Sequence, residues 1–301
     1  MTLPFSTDQI PSLTGKIALI TGGNNGIGFE TVRQLALHGA KVPNTFEGED
    51  AIQRLKEAHP EATLDLHCIQ LVLDDLQSVL KCSDAFLSRE KRLDILICNA
   101  GIMVPPYQLT KDGYEQQFQR EWQGIWTSKS DRHALIHSSP HNFFDLFHSP
   151  DFTSKQAVNR RFGHQYLEWT THPPSLRYSQ SKLANILFAR EINKREVVMM
   201  LRLSRYIQEP STLHLPWGFG NLIRKVLISP ANGALSSLYA ATSSEIEEKD
   251  LWDTLPGAYG YPIWRTKYST DPKLAEDLWN LSEALLVEKF PNLVLETLSS
   301  S

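Results

Sequence analysis

Cysteine is scarce in this chain, with only Cys68, Cys82 and Cys98 among 301 residues. The three are far apart and show neither paired spacing nor a metal-ligand pattern, which excludes a disulfide scaffold and a zinc module and suits a reduced compartment. Long apolar runs are missing too: none approaches the ~20 residues that a membrane-spanning helix needs. The opening MTLPFSTDQIPSLTG has no basic start and no apolar core, so no secretory leader is expected and the expected location is cytoplasmic. There is no excess of positive charge. Thirty Lys and Arg against 34 Asp and Glu leave a net charge of −4, which gives no reason to expect nucleic acid or an acidic membrane as a partner. Repeats and low-complexity stretches are absent apart from the terminal LSSS. A chain of this length can bury a substantial core in one large α/β domain.

What is present begins with KIALITGGNNGIG, residues 16–28. Ile17–Ile20 is a short unbroken apolar run, as expected of a parallel strand buried on both faces. Thr21–Gly28 turns the chain, and FETVRQLALHG continues as a helix with Val32, Leu35, Ala36 and Leu37 as its apolar stripe. Such a turn brings bare backbone N–H groups and the positive end of a helix up to a pyrophosphate. Gly22 permits the tight turn, Gly26 lets phosphates approach, and Gly28 lets helix and strand pack closely.

The spacing Thr-Gly-x-x-x-Gly-x-Gly resembles the cofactor loop of the short-chain dehydrogenase/reductase family. The resemblance implies that Gly22, Asn25, Gly26, Ile27 and Gly28 hold a nicotinamide dinucleotide. Downstream, Asp94–Ile97 (DILI) is the expected fourth buried strand, and Cys98-Asn99-Ala100-Gly101 after it resembles the family's Asn-Asn-Ala-Gly signature. By that match Asn99 and Gly101 lie against the cofactor, and the Asn99 amide can tie adjacent strands together.

Between these blocks the pattern is uneven. Lys41-Val42 starts like a second strand, and Pro43, which cannot donate to a ladder, is expected to stop it. The end of that strand selects the cofactor in dinucleotide folds. Counting on places Glu47 there, an acid that would suit NAD, although it reads rather as a solvated loop acid. Glu49–Ala58 is expected to be helical, Leu64–Leu73 a third strand and Asp75–Leu87 a helix. Where the family carries an adenine-contacting aspartate, this chain has Val72, with Asp74 two residues later. Tyr114–Trp126 has helical periodicity in Phe118, Trp122 and Trp126. The family helix here supplies an asparagine for proton relay; this chain reads Arg120-Glu121-Trp122.

Ala134–His137 is the expected fifth strand. Ser138-Ser139 after it resembles the family's paired serines, which implies that Ser139 hydrogen-bonds the substrate oxygen. After a long mixed loop comes Tyr178-Ser179-Gln180-Ser181-Lys182 in RYSQSKLANILFAREINKR. Residues four apart share a helix face, so the Tyr178 hydroxyl and the Lys182 ammonium can converge on one site. A phenol titrates near 10, and lowering that by about 3 units takes roughly 4 kcal/mol. One cation at ~4 Å supplies about that much at an effective dielectric of ~20. The longer run resembles the branch that contains retinol dehydrogenases and the WW-domain oxidoreductases. By that resemblance Lys182 also bonds the nicotinamide ribose.

Val197–Leu203 is the expected sixth strand. Beyond it the family's Pro-Gly loop and threonine have no clear counterpart, Pro210 and Thr212 being the nearest. Helices are expected over Gly233–Thr242 and Pro272–Val287, with Pro256–Ile263 (PGAYGYPI) a further stretch of resemblance. Trp217, Phe219, Tyr261 and Trp264 could line an apolar pocket or simply pack in the core.

The expectation is therefore a doubly wound α/β fold with a parallel sheet, of Rossmann type. One domain would span residues 1–301, with 1–14 as an extension and 289–301 as a tail. The expected activity is NAD(P)-dependent interconversion of an alcohol and a carbonyl on an apolar small molecule, secondary metabolism being one setting for it. Tyr178, Ser139 and Lys182 would be catalytic; NADP is the expected cofactor, with NAD the alternative. No metal is expected, and association of copies through helices would follow family habit. Departures at 43–48, 120–133 and 196–220 carry a second expectation, a non-catalytic nucleotide-binding relative. A nucleotide-sugar epimerase is a third, which the glycine spacing argues against.

Overall fold

The computed structural model describes residues 5–45, 49–103, 105–122, 134–138, 149–162, 172–194, 199–203, 229–244 and 266–291. Among these residues six strands, β1 (Ala18–Thr21), β2 (Val42–Thr45), β3 (Leu66–Cys68), β4 (Ile95–Cys98), β5 (Ala134–Ser138) and β6 (Met199–Leu203), form one sheet. Every neighbouring pair is parallel, in the order β3-β2-β1-β4-β5-β6. The order reverses between β1 and β4, and a ligand crevice opens beyond the carboxyl ends of the strands at such a reversal.

Among the described residues the α-helices are α1 (Gly26–Leu37), α2 (Asp50–Ala58), α3 (Leu76–Arg89), α4 (Gln116–Trp122), α5 (Lys155–Val158), α6 (His172–Lys194), α7 (Pro230–Thr242) and α8 (Pro272–Lys289). They cover both faces of the sheet. Strand alternation explains why β1 and β4 read as unbroken apolar runs. Ala18, Ile20, Ile95 and Ile97 face one cluster, with Val32 and Leu35 of α1 and Ala234 and Leu238 of α7. Leu19, Leu96 and Cys98 face the other, with Phe118 of α4, Leu183 and Phe188 of α6, and Leu278 and Trp279 of α8. Leu37, expected on the inward stripe of α1, is only half-buried.

Three expectations need correction. Pro43 does not stop β2, which runs through it to Thr45 and pairs on both sides. Lys41 N–H donates to Lys16 and Val42 N–H to Asp65. That alternation turns position 43 towards β1, so the proline forfeits one ladder bond and not the strand. The third strand is shorter than expected, because an edge strand can pair only as far as its one neighbour: Val42 pairs with Leu66 and Asn44 with Cys68. Helix α4 starts at Gln116 and not at Tyr114, because Glu115 caps it, its Oε2 accepting from Phe118 N–H at 2.9 Å. Residues 123–126 lie outside the described residues.

Candidate active site

The crevice at the β1/β4 reversal is built first from backbone. Gly22 and Gly26 turn the chain with φ of +68° and +57°, a region that favours glycine. Asn25 caps α1, its Oδ1 accepting from Gly26 N–H at 2.8 Å. The N–H groups of Ile27 and Gly28 belong to the first turn, where a helix has no carbonyl of its own to offer them. The Ile27 side chain is buried and anchors that turn. Gly28 is pressed onto Gly22 and Asn99: a Cβ there would collide with the Gly22 carbonyl and the Asn99 amide.

The end of β4 closes onto this turn. Asn99 Nδ2 donates to Thr21 O at 2.9 Å and to Gly22 O at 3.2 Å, and Ala100 N–H donates to Thr21 Oγ1 at 2.9 Å. Gly101, next in line, leaves room for the Glu121 carboxylate of α4.

Helix α6 brings the side-chain chemistry. Tyr178 is half-buried and Lys182 is buried, its Nζ 5.4 Å from the centre of the Tyr178 ring. The ammonium is ion-paired with Glu121, both side chains being more than nine-tenths buried. Burial works to lower the Lys182 pKa, but the acids Glu121 and Tyr178 outweigh it and hold the ammonium charged. Burial raises Glu121 against the pull of Lys182 and of the Ile102 N–H. Burial also pushes the Cys98 thiol up to about 12 and Cys82 to about 11, so neither is a thiolate nucleophile at neutral pH.

Gly22, Asn25, Gly26, Ile27, Gly28, Asn99 and Gly101 are thus gathered at the reversal, and Gly101 meets Lys182 through Glu121. Ser139 lies outside the described residues, although its neighbour Ser138 ends β5, in register with Leu203 of β6. Glu47, Pro210, Thr212, Trp217, Phe219, Tyr261 and Trp264 also lie outside them. Asp74 is engaged elsewhere: its carboxylate sits in the guanidinium fork of Arg120. Val72 N–H donates to Ser78 Oγ at 2.9 Å.

Two residues of the site were not singled out from the sequence. Glu121 stands three positions after Phe118, on the stripe that faces the core, where an acid must find a partner. That position was the available signal. Arg54 of α2 reaches back to the glycine turn, donating to Asn24 O at 2.7 Å and lying 4.6 Å from the centre of the Phe29 ring. Nothing local in the sequence marked it. Among the described residues no group of His, Cys, Asp and Glu could hold a metal ion, and no helix is long and apolar enough to cross a membrane.

Fold, glycine turn and Tyr178–Lys182 helix together define a dinucleotide-fold oxidoreductase architecture. Residues 16–129 match the family model for short chain dehydrogenases. A short-chain dehydrogenase/reductase of Gibberella zeae is 31% identical over 299 residues, covering 93% of this chain and 85% of that protein. The WW domain-containing oxidoreductase of Gallus gallus is 32% identical over 305 residues, covering 92% of this chain and 69% of that one. The chain belongs to the short-chain dehydrogenase/reductase family. Among solved structures, an uncharacterized protein from Mycobacterium paratuberculosis superposes with a TM-score of 0.68 at 26% identity, covering 94% of this chain and 97% of that one. An NADP complex of RhlG from Pseudomonas aeruginosa shares the fold, with a TM-score of 0.55 at 18% identity over 77% of this chain and 91% of that one.

Proposed function

We propose that this chain is an NADP-dependent oxidoreductase that interconverts an alcohol and a carbonyl on an apolar small molecule. The observation that carries the reading is the pairing of Tyr178 with a charged, buried Lys182 on one helix, in a family whose chemistry uses that pair. The turn fits a dinucleotide: Gly22 and Gly26 at positive φ, and a Gly28 with no space for a side chain, leave bare backbone at the start of α1. Residues Gly22–Gly28, Asn99 and Gly101 would hold the cofactor, and the NADP bound by the RhlG relative is consistent with that choice over NAD.

A bound nicotinamide would supply hydride to the substrate carbon, or accept it from there. Tyr178 would give its phenolic proton to the carbonyl oxygen in reduction and take it back in oxidation. Ser139 would donate a hydrogen bond to that oxygen, one that strengthens as negative charge grows. Lys182 would favour the ionised phenol by its charge. Trp217, Phe219, Tyr261 and Trp264 are the candidate apolar lining.

One observation favours a second reading, a nucleotide-binding member without turnover. The Lys182 ammonium is engaged by Glu121, where the family has its relay asparagine. Thermal unfolding with NADPH and NADH, followed by turnover on a panel of apolar alcohols and aldehydes, tests both. A ligand at 100 times its Kd adds about 2.7 kcal/mol. Turnover in the wild type that is lost in Tyr178→Phe supports the enzyme; cofactor stabilisation with no turnover across the panel supports the second reading.

A further inference from the structure

We propose that Glu121 is a positioning residue of this site, holding the Lys182 ammonium at the end of β4 and setting the pH at which Tyr178 exchanges its proton. The inference rests on the assignment of Tyr178 and Lys182 made above.

Three elements converge on the Glu121 carboxylate. Helix α4 delivers it on the inward face, beside Phe118. Helix α6 delivers the Lys182 ammonium as its counter-charge. The end of β4 delivers the Ile102 N–H and, in Gly101, the space: a Cβ at Gly101 would lie 2.9 Å from Glu121 Cδ. An acid this deep without such partners would be strongly unfavourable. Its placement therefore fixes Lys182 more firmly than a long, flexible lysine chain would hold itself.

The electrostatic consequence follows from charge alone. A lone ammonium beside a phenol favours the phenolate. A carboxylate in contact with that ammonium opposes it, because the phenol then meets a nearly neutral pair. Glu121 thus withdraws part of the help that Lys182 gives to Tyr178. Among the described residues, two other charges on α6 and α8 have partners of their own. Arg177, adjacent to Tyr178, is turned to Glu115 of α4 at 3.4 Å. Helix α8 packs Leu278 and Trp279 towards α6, with Asp277 held by Lys273 at 2.8 Å. Cys98, at the end of β4, stays protonated. Strands β5 and β6 carry His137 and Arg202, paired in register.

The test is a spectrophotometric titration of tyrosine ionisation. The share of Tyr178 is isolated as the difference between each protein and its Tyr178→Phe counterpart, in the wild type and in Glu121→Gln. The expected result is a Tyr178 midpoint about one pH unit lower in Glu121→Gln, a tenfold larger ionised fraction below the midpoint. Glu121→Asp, which keeps the charge, should stay near the wild type. Gly101→Ala, which pushes the carboxylate off Lys182, should move the midpoint the same way and stands in if Glu121→Gln does not fold. An unmoved midpoint in the folded variant overturns the proposal. Because the titration needs no turnover, a moved midpoint without activity sinks only the oxidoreductase reading. Activity with an unmoved midpoint, and with the kcat/KM pH profile lowered but not shifted, sinks only the role of Glu121.

Discussion

Asn99 and Thr21 join the two strands on either side of the reversal: Asn99 Nδ2 donates to Thr21 O at 2.9 Å, while Thr21 Oγ1 accepts from Ala100 N–H at 2.9 Å. The same amide also reaches Gly22 O, so the glycine turn hangs from β4 as well as from β1. Asn99→Ala leaves these carbonyls short of a donor and should cost about 1–3 kcal/mol. Thr21→Val should cost about 1 kcal/mol. The double variant should lose less than the sum by at least ~0.5 kcal/mol, because both act on one junction. Urea denaturation midpoints at unchanged m-value measure this; strict additivity would mean the two bonds are independent.

The glycines of the chain are not equivalent, and two alanine variants should separate them. At Gly28 a Cβ meets the Gly22 carbonyl and the Asn99 amide, neither of which can swing away. At Gly15, with φ of +78°, nothing lies within 4 Å, so alanine meets only backbone strain of ~1 kcal/mol. Gly28→Ala should lower Tm more than Gly15→Ala and abolish stabilisation by NADPH. Gly15→Ala should keep that stabilisation in full. Thermal unfolding with and without NADPH reads both.

How much of this was legible beforehand depended on whether a signal was local. Ile20 and Ile97 on one face, with Leu19 and Leu96 on the other, make strands apolar at every position, and a six-strand parallel sheet followed from such runs. The glycine spacing and the Tyr178–Lys182 interval were readable for the same reason, each within one turn or two. Pro43 misled because the effect of a proline in a sheet depends on which neighbour its missing N–H would have faced, a fact of register and not of sequence. Arg120 with Asp74, and Glu121 with Lys182, are pairs 46 and 61 residues apart. Only the fold brings them together, so a change that looked like decay of the family pattern is, at 120 and 121, a pair of satisfied charges.

The start of the same two strands predicts a pH dependence. Asp94 is buried, with Oδ2 accepting from Ile17 N–H at 2.9 Å and from Arg92 Nε at 3.0 Å, and Lys16 Nζ 3.5 Å from Oδ1. Burial acts to raise its pKa, but the Ile17 N–H and the two cations prevail and hold it below the usual carboxylate value. A depressed pKa means that the folded state favours the ionised form. Its contribution is therefore complete above the unfolded value of about 3.9 and is lost as pH falls through the folded value. Asp94→Asn should be less stable than the wild type by roughly 1–2 kcal/mol at pH 7. The gap should shrink below about pH 4 as the wild-type carboxyl protonates. Urea midpoints of both proteins between about pH 2.5 and about pH 7 measure the gap, and a constant gap would contradict this.

Arg54 offers the last and most specific test, because it joins the helix after β2 to the glycine turn. Its guanidinium donates to Asn24 O at 2.7 Å and lies over the Phe29 ring, yet it remains accessible at the surface. In dinucleotide folds an arginine near the end of the second strand accommodates the 2′-phosphate, and a guanidinium fork suits a phosphate better than a ribose hydroxyl. Two roles are then separable. If Arg54 only braces the turn, Arg54→Ala weakens NADPH and NADH alike, since both use the same pyrophosphate site. If it also reads the 2′-phosphate, the loss falls on NADPH, by about tenfold, or ~1.4 kcal/mol, while NADH stays within about twofold. The expected outcome is the unequal loss, measured by titrating each cofactor into wild type and variant. Arg54→Lys keeps the charge but not the fork or the stacking on Phe29, and should recover only part of the NADPH affinity. Equal losses for the two cofactors would return cofactor choice to the segment around Glu47 and leave Arg54 as a brace.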